Sequence, residues 1–115
     1  MAAGVSAFRA PHGRFSWEVR TIAVLVGMPH LIGWDVGPQH DDIDPVSMAA
    51  VIVQKTTSGS IINLHDGLAG KDHDVSARVS RAAADCVDLV VPRLLALGFR
   101  FKTVSEMVGK RSAQA

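Results

Sequence analysis

The sequence predicts a parallel α/β fold of about four strands, each followed by a helix. Two observations carry this expectation. Short apolar stretches start near residues 5, 30, 60 and 99, and a segment with helical spacing or a helix-start signal follows each of them. Strands that alternate with helices point to βαβ units and a parallel sheet. Four such units do not close on themselves, so the sheet would keep open edges.

Taken in order, residues 5–9 are short and half apolar, and end at Ala10-Pro11-His12-Gly13, where Pro and Gly mark a turn. Ser16 stands where a cap belongs, with Glu18 in the first turn of a helix that runs to about Val26 and stops at Gly27 and Pro29. Residues 30–36 read as a buried strand through Leu31, Ile32, Trp34 and Val36, ended by Gly37-Pro38. Asp44-Pro45 combines an N-cap side chain with Pro at the first helical position, and the helix runs to about Thr57 before Ser58-Gly59 breaks it.

Residues 60–64 form the third expected strand, ending at His65-Asp66-Gly67, and 68–76 read as a polar loop. A long apolar-periodic stretch follows from about Ser76 to Leu97, and Pro92 inside it marks either a kink or a restart. Gly98 stops it, Phe99-Arg100-Phe101 reads as a short strand, and Thr103 and Glu106 have capping-box spacing. The whole reads as one domain over 1–109 with a disordered tail at 110–115.

Composition removes several function classes. Twelve Lys+Arg against 11 Asp+Glu give a net charge of +1, which makes no electrostatic case for nucleic acid or an anionic membrane. With 4 Phe, 2 Trp and no Tyr there is no stacking platform for bases. The single cysteine, Cys86, excludes an internal disulfide and, inside an apolar helical stretch, reads as a core residue rather than a nucleophile. No stretch reaches the ~18 apolar residues of a membrane span. Met1-Ala2-Ala3-Gly4 has no basic region leading into an apolar one, so the chain as given is expected in the cytoplasm.

Ligands in parallel α/β folds bind at the carboxyl ends of strands. Three polar clusters fall at such ends: Arg9 to Gly13, Trp34-Asp35 with Gln39-His40-Asp41-Asp42, and His65-Asp66-Gly67. Each has a plainer reading. Pro11 and Gly13 shape a turn, Arg9 pairs with a surface carboxylate, Asp41 and Asp42 are a solvated loop, Asp44 is a helix cap, and Trp34 is core. His65, at the end of Ile61-Ile62-Asn63-Leu64, favours function. Asp72-His73-Asp74 has the residue types of a metal site but no second ligand cluster at fixed spacing.

These residues carry a resemblance. Phe8-Arg9-Ala10-Pro11-His12-Gly13 resembles the Arg-x-Pro-aromatic-Gly motif of the polysaccharide deacetylases, which include chitin, chitooligosaccharide and peptidoglycan N-deacetylases. Ser60 to Gly67 is similar to that family's apolar strand ending in Leu-His-Asp-Gly. Trp34-Asp35-Val36, with Pro38 and an acidic cluster after it, falls where another motif belongs. Leu94 to Met107 is similar to the closing Leu-Gly-Phe-x-Phe-x-Thr-Val-Ser-Glu stretch. The order and spacing agree over almost the whole chain, which matches the family's C-terminal half.

The resemblance implies a partial (β/α) barrel and hydrolysis of N-acetyl groups on an acetylated amino-sugar polymer or related amide. In the family a divalent metal, usually zinc, binds the acetyl oxygen and the attacking water. By the match, His65 is the acid that protonates the leaving amine, a task suited to a side chain that titrates near neutrality. Arg9 orients a base carboxylate, the His12 backbone N–H helps hold the oxyanion, and Trp34 and Leu64 line the acetyl pocket. Asp41 is the candidate carboxylate that tunes His65, with His40 and Asp42 one residue away on either side.

The departures from the family pattern are large. Its Asp-Asp and His-x-x-x-His motifs, which supply base and metal ligands, have no counterpart here, so zinc ligands are lacking and the chain alone is expected to be inactive. No Trp accompanies His40-Asp41-Asp42, and Asn63 stands where the family has an apolar residue. A second reading is a non-catalytic carbohydrate-binding or assembly module, pairing with itself through open sheet edges. A third is an unrelated small α/β domain with a metal site at Asp72-His73-Asp74 or His40-Asp41-Asp42.

Overall fold

The structure, a computed structural model, describes residues 6–38, 43–68 and 70–114, with side chains to residue 109. In chain order its elements are β1 (Ala7–Phe8), a 3-10 turn (Pro11–Gly13), α1 (Trp17–Leu25), β2 (His30–Leu31), α2 (Pro45–Lys55), α3 (His73–Ala96) and α4 (Val104–Gln114). The chain divides into two compact units: Met1–Gly33 with Phe101–Ala115, and Trp34–Arg100.

This corrects the expected fold class. Among the described residues there are two strands of two residues each, not about four βα units of a partial barrel, and more than half of those residues are helical. The third expected strand is reduced to one parallel bridge, Val36 to Ile62, and the fourth, around Phe99, is absent. The reason is pairing. A strand persists when neighbours satisfy its N–H and C=O groups. Here β1 meets β2 over Ala7–His30 and Phe8–Leu31. Phe99 instead packs its side chain against the helical core.

The helices follow local chemistry. In the first unit the Ser16 hydroxyl accepts from the Val19 N–H at 3.3 Å and caps α1. The Glu18 carboxyl is held below its ordinary range by its own backbone N–H and by Ser16. Thr103 and Glu106 cap α4 reciprocally. The Glu106 carboxylate accepts from the Thr103 N–H at 2.7 Å, and the Thr103 hydroxyl accepts from the Glu106 N–H at 3.2 Å. Ala10 and Ala23 are the buried residues among those described in this unit.

The second unit holds the core. Asp44 caps α2 by accepting from the N–H groups of Val46 and Ser47 and, at 2.7 Å, from the Ser47 hydroxyl. That hydroxyl is the main reason its carboxyl titrates below the ordinary value. Asp72 accepts from the Val75 N–H at 2.9 Å and starts α3 at His73, three residues before the sequence suggested. The helix then continues through Pro92 to Ala96 without a restart.

Along α3, Ala82, Cys86, Val90 and Leu94 recur at helical spacing and meet Met48, Ala49 and Ile52 of α2, with Val36 completing the cluster. Ile52 and Cys86 are fully buried and Leu94 nearly so. Each large apolar side chain buried this way contributes roughly 1.5–3 kcal/mol. No helix among the described residues is long and apolar enough to cross a membrane.

Candidate functional site

Arg9 follows β1 directly. Its Nε donates to the Ile32 carbonyl at 3.3 Å and one terminal nitrogen donates to the Gly33 carbonyl at 3.2 Å. The guanidinium therefore extends the two-residue β1–β2 pairing by gripping the chain just past β2, where the Ile32 N–H already reaches the Phe8 carbonyl at 2.9 Å. A planar cation suits this, because its donors are fixed in a fork.

His12 lies in the 3-10 turn with φ 57° and ψ 21°, the left-handed region. It is the non-glycine residue with positive φ among those described, and a histidine tolerates that region better than most. Its side chain is exposed, and its backbone N–H sits in the first turn, where N–H groups find no partner within a helix.

In the second unit the segment around residue 62 is organised by Asp35, which the sequence places in a strand-end cluster. One carboxylate oxygen accepts from the Ile61 N–H at 2.6 Å and the other from the Ser60 hydroxyl at 3.0 Å. The backbone adds Asp35 N–H to the Ile61 carbonyl at 3.2 Å and Asn63 N–H to the Val36 carbonyl at 2.9 Å. A Cβ at Gly37 would stand 3.0 Å from the Asn63 carbonyl oxygen, which is why glycine serves at this close approach.

Beyond the bridge, Leu64 packs against the core cluster while His65 and Asp66 are exposed. Gly67 is needed for space: a Cβ there would lie 2.7 Å from the Ser76 hydroxyl, which accepts from the Leu68 N–H at 3.1 Å. This hydroxyl ties the turn after His65 to the first turn of α3. No local sequence signal pointed to Ser76. Trp34 stands on the other side of the bridge, at the Ser60 end, and is 43% exposed rather than buried in a strand.

The structure thus brings Arg9 to the end of β2 in the first unit, and Leu64 and His65 to one end of the Val36–Ile62 bridge in the second. Arg9 and His12 belong to one unit and Trp34, Leu64 and His65 to the other. Asp41, with His40 and Asp42, lies outside the described residues. Asp72 of the Asp72-His73-Asp74 cluster is occupied as a helix cap. Among the described residues no group of three or more His, Cys, Asp or Glu side chains could hold a metal ion, so they do not fit the zinc that the resemblance implies. No family model, no curated protein and no solved structure matches this chain.

Proposed function

We propose that this chain is related to the polysaccharide deacetylases and supplies the acid side of an amide-hydrolysing site, without the water-activating side. The observation that carries the reading is the construction of the Leu64-His65-Asp66-Gly67 turn. Leu64 is anchored on the core, Gly67 is held against Ser76, and between them the His65 imidazole faces solvent at the end of a clamped extended segment. An acid must reach the leaving nitrogen of a bulky polymer, and an exposed imidazole on an anchored turn suits that task.

In this reading His65 gives its proton to the departing amine. Arg9 shapes the backbone at Ile32 and Gly33. The motifs that activate the attacking water in the family, Asp-Asp and His-x-x-x-His, have no counterpart in this sequence. The chain by itself is therefore expected to bind an acetylated amino-sugar oligomer without hydrolysing it. A carbohydrate-binding role is the second reading. The half-exposed Trp34 supports it, since an indole face suits the apolar face of a sugar ring.

The test is acetate release from acetylated chitooligosaccharide with added zinc, run beside a titration of the same sugar followed by Trp fluorescence. The deacetylase-related reading expects no acetate above a zinc blank and an affinity that falls about tenfold in His65→Ala. Affinity lost in Trp34→Ala but kept in His65→Ala favours the binding module. Acetate released at an enzymatic rate, or no sugar affinity in the folded wild-type chain, overturns the proposal.

A further inference from the structure

One side of α3 carries a charged hollow that the His65 turn does not use. Asp74, Arg78 and Arg81 recur at helical spacing and share that side, with Ala77 among them. Among the described residues these four line a hollow of about 260 Å³. We infer that the hollow binds a hydroxylated monocarboxylate, the chemistry of an acidic sugar, with Arg78 and Arg81 holding the carboxylate and Asp74 accepting from a hydroxyl.

The first support is that both cations are available. Among the described residues neither guanidinium meets a hydrogen-bond or ion-pair partner. Yet Asp74 stands four residues before Arg78, and Asp85 four after Arg81, a spacing at which helices form ion pairs. The helix's own carboxylates therefore leave both cations open. Two cations three residues apart on one side also repel each other, and an anion held between them relieves that repulsion.

The second is the match of donors and acceptors. A planar guanidinium presents paired N–H donors that fit the two oxygens of a carboxylate. Ala77 adds a methyl group alone, which leaves room between the longer side chains. Asp74 selects what stands beside the carboxylate. It repels a second acidic group and accepts from a hydroxyl, so the pattern favours one acid group with hydroxyls and disfavours phosphate chains. The third is size. The hollow is just below the ~300 Å³ at the small end of ligand pockets, which suits a single ring or a short acid. This inference stands apart from the deacetylase-related reading, because Ser76, which holds the turn after His65, projects from another side of α3.

The experiment follows amide resonances of the full chain by NMR while glucuronate, gluconate, glucose or acetate is added at constant ionic strength. The inference expects saturable shifts at residues 74–81 with glucuronate, gluconate or both, in the millimolar range or tighter, and none with glucose. Glucuronate against gluconate tells a sugar ring from an open-chain acid. Arg78→Gln and Arg81→Gln should each weaken binding about tenfold. Arg81→Lys, which keeps the charge and loses the fork, should weaken it by less. Asp74→Asn should reduce the preference for a hydroxylated acid over acetate. Arg93→Gln, a control at the remaining arginine of α3, should change nothing.

A wild-type chain whose residues 74–81 do not respond to either hydroxylated acid overturns the inference. So do shifts that acetate reproduces at equal concentration, which would leave an adventitious ion only. Binding that falls as much in Arg93→Gln as in Arg81→Gln overturns it too, by reducing the effect to net charge. All four lining residues are exposed, so the variants are expected to keep the helical circular dichroism of the wild type.

Discussion

Two helices of this chain start from similar material and end differently. α1 and α2 are both short, capped by a side-chain oxygen, and rich in Ile, Val and Leu or Met. In α2 the apolar residues Met48, Ala49 and Ile52 share one face and meet the 24-residue α3, which offers Ala82, Cys86, Val90 and Leu94 in return. In α1 the apolar residues spread around the helix, and its partner within the unit is a two-residue strand. Helix formation is thus local, but burial depends on the length and side-chain size of whatever the helix meets.

The largest expected effect breaks the stronger region. Ile52→Ala should cost roughly 2–5 kcal/mol, since it opens a cavity between α2 and α3, read as a fall in the urea midpoint. The matched change in α1, Ile22→Ala, should stay within about 0.5 kcal/mol at a concentration where the chain is monomeric. Equal losses at the two positions would mean that α1 is buried in solution by its own chain.

A smaller effect is expected at Asp35. Asp35→Ala removes two hydrogen bonds that hold residues 60 and 61 beside Val36, and should cost about 1–3 kcal/mol while speeding amide exchange at Ile61 and Asn63. Unchanged exchange there would show that the bridge holds without its carboxylate.

Smaller again is the contact behind His65. Gly67→Ala should cost about 1 kcal/mol by displacing the Ser76 hydroxyl from the Leu68 N–H, and should be close to neutral when Ser76 is already alanine. Additive losses in the double mutant would place the strain elsewhere.

The least intrusive change is a proton. The Asp44 carboxyl titrates below its ordinary 3.8 in the folded chain, so its contribution to α2 is fully present above that value and disappears as pH falls through the lower folded pKa. Helical signal followed by circular dichroism from pH 5 downward should show this loss in the wild type and less of it in Asp44→Asn. A variant with an identical acid profile would show that Ser47 and the backbone do not depend on the charge.

What could be read in the sequence separates along the same line. Caps at Ser16, Asp44 and Thr103 with Glu106 were legible, because each acts on N–H groups two or three residues away. The strands were not. Residues 60–64 and 99–101 have strand-like side chains, but whether they pair depends on neighbours far along the chain, and here one makes a single bridge and the other none. Asp72 has the residue type and the spacing to Val75 of a cap, while its neighbours His73 and Asp74 give the same stretch the look of a metal cluster. At the candidate site, His65 was visible from its position after an apolar run. The roles of Asp35 and Ser76 depend on partners 25 and 8 residues away, which no local pattern encodes.

The lone thiol of the chain lies in the α2–α3 core cluster, with no surface accessible to solvent. A thiol-directed reagent can therefore modify Cys86 only after the two helices separate. Its labelling rate acts as a built-in clock for the opening of the larger unit, needing no engineered probe. Because Cys86 packs in the cluster formed by α2 and α3, the clock times the breathing of that seam.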